Sequence, residues 1–198
     1  MSKELMSDLV KVTIDDHTVE VPAGTNLIEA ARQVQKEIPH YCYHSKLSVA
    51  GNCRMCLVEI EKVPKLQIAC NTTVREGMVV RTQNERVEKA RQSVMEFILI
   101  NHPIDCPVCD QAGECKLQEY YMKYDQAPSR FHLEEKVHKE KVVDLGPWVS
   151  LDMERCILCT RCVRFCKEIA KEDELCIAQR GDHSILTTFP GKKLENKY

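Results

Sequence analysis

An excess of basic charge is missing from this sequence: 28 lysines and arginines stand against 30 aspartates and glutamates, for a net charge of −2. Binding nucleic acid through its phosphates needs a basic excess, so that class is set aside. Glycine and proline are scarce, at 7 and 8 residues, which removes collagen-like and low-complexity readings. Long apolar runs are also missing. The longest, from Val94 to Ile100, is broken by Glu96 and falls far short of the roughly 18 to 20 apolar residues of a membrane span. No G-x-G-x-x-G, no P-loop and no evident nucleophile–base pair occurs, so hydride and substrate chemistry are expected to reside in another chain. The first ten residues carry two acids and no apolar run, so no secretory leader is expected.

What the sequence has is cysteine. Twelve thiols in a chain without an export signal would be kept reduced, so clustered thiols are read as metal ligands rather than disulfides. A chain of 198 residues makes one or two domains, or several small ones where metal replaces part of the core. The densest stretch is His102-Pro-Ile-Asp-Cys106-Pro-Val-Cys109-Asp-Gln-Ala-Gly-Glu-Cys115. A histidine ligand coordinates as a neutral ring and cysteines as thiolates. A site of one histidine and three cysteines is therefore one unit less negative than an all-cysteine site, which favours a higher reduction potential. Pro103 ends the preceding helix, Pro107 shapes the loop, and Gly113 lets the backbone turn around a bulky group. Cys115 opens a helix over 116–123 whose first amides face an anionic cofactor. A lone histidine at a helix end more often bonds to backbone; three neighbouring cysteines reverse that reading for His102.

Upstream, Val10–Ile14 and Thr18–Val21 alternate around Asp15-Asp16-His17 and predict a β-hairpin. Asn26 with Glu29 predicts a helix start, with Leu27, Ala30, Ala31 and Val34 on its core face. Cys42 lies in a loop; Cys53 and Cys56 follow ten residues later, and Cys70 thirteen after that. Leu57–Ile60, Leu66–Ala69 and Met78–Thr82 read as strands. Four thiolates from a loop, a C-x2-C and a strand end suit a 2Fe–2S cluster, although the plant-type first gap is four residues. Tetrahedral zinc also takes four thiolates, but zinc ribbons bring two C-x2-C knuckles and this set has one. His17, His40 and His44 are read as bystanders, with His44 closest to a ligand in sequence. A helix from Asn84 carries Val87, Ala90, Val94, Phe97 and Ile98 on one face.

Downstream, residues 124–147 are charged and read as an exposed connection with a short strand over 141–145, His132 and His138 lying on the surface. Trp148 reads as core. Cys156, Cys159 and Cys162 show the C-x2-C-x2-C spacing of a 4Fe–4S site. Cys166, one helical turn beyond Cys162, is followed by Lys167 rather than proline and is read, like Cys176, as a packing residue. Arg54, Arg161 and Arg164 flank ligands and either moderate cluster charge or are solvated.

The run Asn101 to Gln118, with Gly51-Asn-Cys-Arg-Met-Cys-Leu-Val-Glu59 before it and Asp152-Met-Glu-Arg-Cys-Ile-Leu-Cys-Thr-Arg-Cys-Val-Arg164 after it, closely resembles the large iron–sulfur subunit of respiratory NADH:quinone oxidoreductase. That resemblance implies a 2Fe–2S cluster on Cys42, Cys53, Cys56 and Cys70, and a 4Fe–4S cluster on His102, Cys106, Cys109 and Cys115. It also implies a second 4Fe–4S cluster on Cys156, Cys159 and Cys162, whose fourth ligand comes from further along the family chain. The expected fold class is α+β. A β-grasp 2Fe–2S ferredoxin-like domain (1–83) is followed by a small helical 4Fe–4S domain with one histidine and three cysteine ligands (84–123). A connecting segment (124–147) leads to a C-terminal 4Fe–4S domain (148–198). The family continues into a further large domain, so an N-terminal piece or a naturally short subunit is expected. The implied function is a one-electron relay from an NADH-oxidising flavin subunit toward quinone. Partners would be that flavin subunit and the quinone-side hydrophilic subunits, on the cytoplasmic side of a bacterial inner membrane or the matrix side of a mitochondrion. Two other readings stay open: a relay subunit of an NAD-linked hydrogenase or formate dehydrogenase, and a structural zinc scaffold.

Overall fold

β-Branched residues in alternation need a partner strand, and the turn at Asp15-Asp16 supplies one. In the computed structural model, which describes residues 8–125 and 128–198, β1 (Leu9–Ile14) pairs antiparallel with β2 (His17–Pro22). Most of the residues behind the leader reading, 1–7, lie outside the described residues. Val12 and Ile14 are fully buried, while Lys11 and Thr13 at the alternate positions point the other way, as a period of two requires. Asp15 adopts φ 51, and its carboxylate accepts from the amide (2.7 Å) and hydroxyl (2.8 Å) of Thr82. The hairpin tip is thereby tied to the end of a strand far along the chain.

Helix α1 (Leu27–Gln33) follows, capped by Asn26, whose side-chain oxygen accepts from the Ile28 amide at 2.9 Å; such caps contribute about 1 kcal/mol. Its buried face comprises Leu27, Ile28, Ala30 and Ala31. Strands β3 (Leu57–Ile60), β4 (Gln67–Ile68) and β5 (Met78–Arg81) complete a five-stranded sheet in the order β2-β1-β5-β3-β4. β5 sits at the centre, parallel to β1 and antiparallel to β3. The segment expected as strand to Ala69 turns earlier into a 3-10 turn, Ala69–Asn71, which carries Cys70.

Helix α2 (Glu85–Leu99) buries Val87, Arg91 and Met95, a stripe at i, i+4 and i+8. This corrects the face predicted from sequence: Phe97 is 77% exposed. Position 97 lies about 200° around the helix from Met95, so a stripe running through 87, 91 and 95 turns it outward. Arg91 takes the inner place because its guanidinium donates to the Leu57 carbonyl at 3.0 Å.

The chain divides into two compact units, residues up to His40 with Cys53–Val94, and Tyr41–Asn52 with Met95–Tyr198. The sheet and α1 belong to the first. In the second, α3 (Lys116–Tyr124) buries Leu117 and Tyr120, and the Tyr120 ring packs 5.3 Å from that of Tyr41. Two small hairpins, β6 (Val143–Asp144) with β7 (Ser150–Leu151) and β8 (Leu175–Ala178) with β9 (Ile185–Thr188), accompany α4 (Arg161–Phe165). α4 runs on into a π-helical turn, Cys166–Ala170. They enclose a core of Leu145, Met153, Cys166, Leu175 and Leu186. Trp148 is not part of it. At the tip of the β6–β7 hairpin it is 85% exposed, because a five-residue connection lifts it off the core.

Candidate metal centres

The central set is built on a helix end. α2 leaves its last carbonyls without intrahelical donors, and Lys136 supplies one: its ammonium donates to the carbonyls of Leu99 (2.8 Å), Ile100 (2.8 Å) and His102 (3.1 Å). The Asn101 side chain accepts from the Val137 amide at 3.0 Å. A segment read from sequence as exposed connection therefore holds the histidine loop in place. Composition gave no signal for this, because Lys136 is one charge among many.

Cys106 begins a 3-10 turn, Cys106–Val108, with Pro107 inside it, and the Cys109 amide closes back on the Cys106 carbonyl at 3.3 Å. Gly113 takes φ 90, a region that only glycine enters freely, and delivers the chain to Cys115 at the N-cap of α3. His102, Cys106, Cys109 and Cys115 all line one cavity of about 550 Å³. Burial and then the Lys136 charge push the His102 imidazole below its ordinary value, so the ring is neutral near pH 7 and its lone pair is available. Leu99, Leu117 and Phe131 contribute apolar wall, and Arg155 a cation. Among the described residues no three histidine, cysteine or acidic side chains close on one point as around a single ion. One imidazole and three thiols along the same cavity wall are a donor set whose chemistry fits an iron–sulfur cluster.

The third set wraps a tighter loop. Leu158 and Thr160 both adopt positive φ, 54 and 59, which bends the chain sharply between its cysteines. The Leu158 amide donates to the Cys156 sulfur at 3.4 Å, the kind of bond that stabilises a thiolate. Burial nevertheless raises the Cys156 thiol, the Leu158 amide opposes it, and the charge of neighbouring Cys159 adds to the rise. A cation or cluster iron would reverse that balance. Cys162 lies in the first turn of α4. Cys166 is buried among Leu145, Met153 and Leu175, with Asn196 Nδ2 donating to its sulfur at 3.8 Å.

The loops of the central and third sets are linked by charge. Asp105 accepts from Lys141 at 2.6 Å and from Arg155 at 3.4 Å, and Lys141 also pairs with Glu154 at 2.6 Å. The two carboxylates hold the Lys141 ammonium well above its usual range. None of these residues stood out in the sequence.

Of the first set, Cys53, Cys56 and Cys70 belong to the sheet unit and Cys42 to the other. Cys56 and Cys70 are buried. The Ala69 amide donates to the Cys56 carbonyl at 2.9 Å, and Asn26 Nδ2 donates to the Cys70 carbonyl at 2.6 Å, so the residue that caps α1 also holds a cysteine loop. Cys42 is buried too, and its carbonyl accepts from Arg164 at 2.5 Å. His44 is exposed; its ring accepts from the Lys46 amide at 3.2 Å.

Residues 7–85 match the family model of a 2Fe-2S iron-sulfur cluster binding domain. Residues 91–130 match the NADH-ubiquinone oxidoreductase-G iron-sulfur binding region, and 146–198 the ferredoxin-like domain of NADH-quinone oxidoreductase subunit 3. The chain is 46% identical over 189 residues to the G-type subunit of NADH-quinone oxidoreductase from Rickettsia bellii, covering 96% of this chain and 28% of that protein. It is 49% identical over 190 residues to the mitochondrial 78 kDa subunit of NADH-ubiquinone oxidoreductase of Neurospora crassa, covering 95% of this chain and 25% of that protein. The chain belongs to the family of NADH-quinone oxidoreductase G-type and 78 kDa iron–sulfur subunits, matching their N-terminal region. It spans about a quarter of the length of these relatives. The crystal structure of an NAD+-reducing [NiFe]-hydrogenase matches with a TM-score of 0.81 at 28% identity, over 92% of this chain and 77% of that one. For a member of this family, a 2Fe–2S domain followed by further iron–sulfur domains in an α+β architecture is the shared arrangement, and the iron–sulfur descriptions speak against the zinc scaffold.

Proposed function

We propose that this chain is a one-electron relay, passing electrons from an NADH-oxidising flavin subunit toward quinone. The observation that carries the reading is the single cavity lined by His102, Cys106, Cys109 and Cys115, which suits a 4Fe–4S cluster with one histidine ligand. Cys42, Cys53, Cys56 and Cys70 are assigned to a 2Fe–2S cluster, and Cys156, Cys159 and Cys162 to a second 4Fe–4S cluster whose fourth ligand lies outside this set. Bound iron–sulfur clusters take up and release single electrons, at potentials set by cluster type, charge, hydrogen bonds and exposure.

The chain's own residues supply those settings. His102, held neutral, contributes no charge where a fourth thiolate would add one. Lys136 and Arg155 bring cations to the same wall, and both favour the reduced, more negative state. The α3 N-terminus directs its first amides to the Cys115 side. Leu99, Leu117 and Phe131 give part of the wall an apolar character, which lowers the local dielectric beside the cluster and strengthens each of these effects. Among the described residues no helix is long and apolar enough to cross a membrane; attachment to the membrane is assigned to partner subunits, on the cytoplasmic or matrix side.

Iron analysis with EPR of the reduced protein tests the reading. About ten irons per chain supports three clusters and about six supports two; a colourless protein holding zinc and no iron ends the relay reading. The likeness to the NAD+-reducing hydrogenase favours a second reading, a relay subunit beside a hydrogenase. Identification of the co-purifying subunits separates the two.

A further inference from the structure

The loop that carries Cys42 is fastened to the third cysteine loop by an unusual concentration of polar contacts. Arg164 is the hub. Its Nη1 donates to the Ser48 carbonyl, and its Nε donates to Thr160 Oγ1 at 3.3 Å. Its Nη2 donates to two carbonyls at once, that of Cys42 at 2.5 Å and that of Cys159 at 3.2 Å. Around it, Arg161 donates to the Tyr43 carbonyl at 2.6 Å and Asn52 to the Leu158 carbonyl at 2.9 Å. Glu168 accepts from both the amide and the hydroxyl of Ser48. Arg164 is 9% exposed. Burying a guanidinium is costly unless its donors are used, and here the carbonyls of two ligand-bearing loops use them.

We propose that Arg164 is a positioning residue that joins the Cys42 ligand to the Cys156–Cys162 loop, through one nitrogen shared between the Cys42 and Cys159 carbonyls. The inference rests on the cluster assignments above. Two consequences follow from the geometry. The guanidinium charge lies one peptide carbonyl away from a ligand in each set, so it stabilises the reduced form of both. The route from Cys42 to Cys159 crosses two hydrogen bonds to a single nitrogen, so one side chain ties together the carbonyls of two proposed ligands. Lysine keeps the charge but, lacking the planar fork, cannot serve Ser48, Cys42 and Cys159 together in this geometry.

The test uses the full chain loaded with iron and sulfide, with total iron and the potential-dependent EPR spectrum as readouts. In Arg164→Met the 2Fe–2S midpoint is expected to move to more negative potential with a changed line shape, while the signal of the histidine-ligated cluster keeps its position. Arg164→Lys is expected to show a smaller shift in the same direction. Glu168→Gln, which loosens the same loop without touching either cysteine carbonyl, is expected to leave the midpoint in place. Should Arg164→Met fail to fold, the shift in Arg164→Lys decides. A 2Fe–2S midpoint unmoved in the Arg164 variants, or moved equally by Glu168→Gln, overturns the proposal. A wild-type chain with no 2Fe–2S signal at all defeats the relay reading instead.

Discussion

Single residues in this chain carry roles that their sequence neighbours disguise. Cys166 looks like a fourth ligand by position, one turn beyond Cys162, yet it is 3% exposed in an aliphatic core. Cys166→Ala is expected to leave iron per chain unchanged while lowering stability by about 1–2 kcal/mol, the size of a small core truncation; iron assay and thermal melting check the two halves separately. Gly146 is set by space: a Cβ there would collide with the Leu194 carbonyl oxygen, well inside contact distance. That close approach is held by the Leu194 amide on the Leu145 carbonyl at 2.7 Å. Gly146→Ala is expected to lower the melting temperature, at a cost of about 1–3 kcal/mol, and to deprotect the Leu194 amide in hydrogen exchange. Arg91 and Trp148 show why residue type alone misleads. A cation with a carbonyl acceptor can be buried, and an indole at the end of a long hairpin connection stands clear of the core.

At the scale of elements, the helices and strands followed their periodicity while their ends depended on distant partners. The hairpin, α1, β3, β5, α2 and α3 were all legible as patterns, since alternation and helical spacing are local properties. The C-terminal cap of α2 was not, because its donor is Lys136, 36 to 37 residues from Leu99 and Ile100. Lys136→Met would leave those carbonyls without their ammonium. The expected result is about 1–3 kcal/mol of lost stability with weaker retention of the central cluster, seen as lower iron after gel filtration. The Cys42 loop offers a pH test. The Ser48 hydroxyl and then its amide hold the Glu168 carboxyl below its ordinary value of 4.5. The contribution is therefore fully present above pH 4.5 and is lost as pH falls through the lower folded value. The protection factor of the Ser48 amide is expected to fall as pH drops below 4.5 in the wild type, and to lose that pH dependence in Glu168→Gln.

For the whole molecule, the two units rest on different foundations. The first has a five-stranded sheet with Val12, Ile14, Val58, Val80 and α1 filling one side. The second has two short hairpins over one cluster of five buried residues, with Leu117 and Tyr120 of α3 buried apart from it, and long irregular loops around the cysteine sets. Where metal binding replaces core, removing metal unfolds structure. Stripping iron with a chelator is expected to leave amides of β1 and β5 protected, while those over residues 102–115 and 153–162 exchange rapidly. Equal loss across both regions would contradict the difference in their cores. Consecutive residues were enough to read the sheet and helix segments, the family resemblance and a set of candidate donors, because donor spacing and hydrophobic period are local. No local pattern announced that Lys136 holds the His102 loop, that Arg155 lines the central cavity or that Arg164 joins the Cys42 and Cys159 loops. Such bonds join charges dozens of residues apart, and a charge in a sequence carries no mark of the carbonyl it will meet.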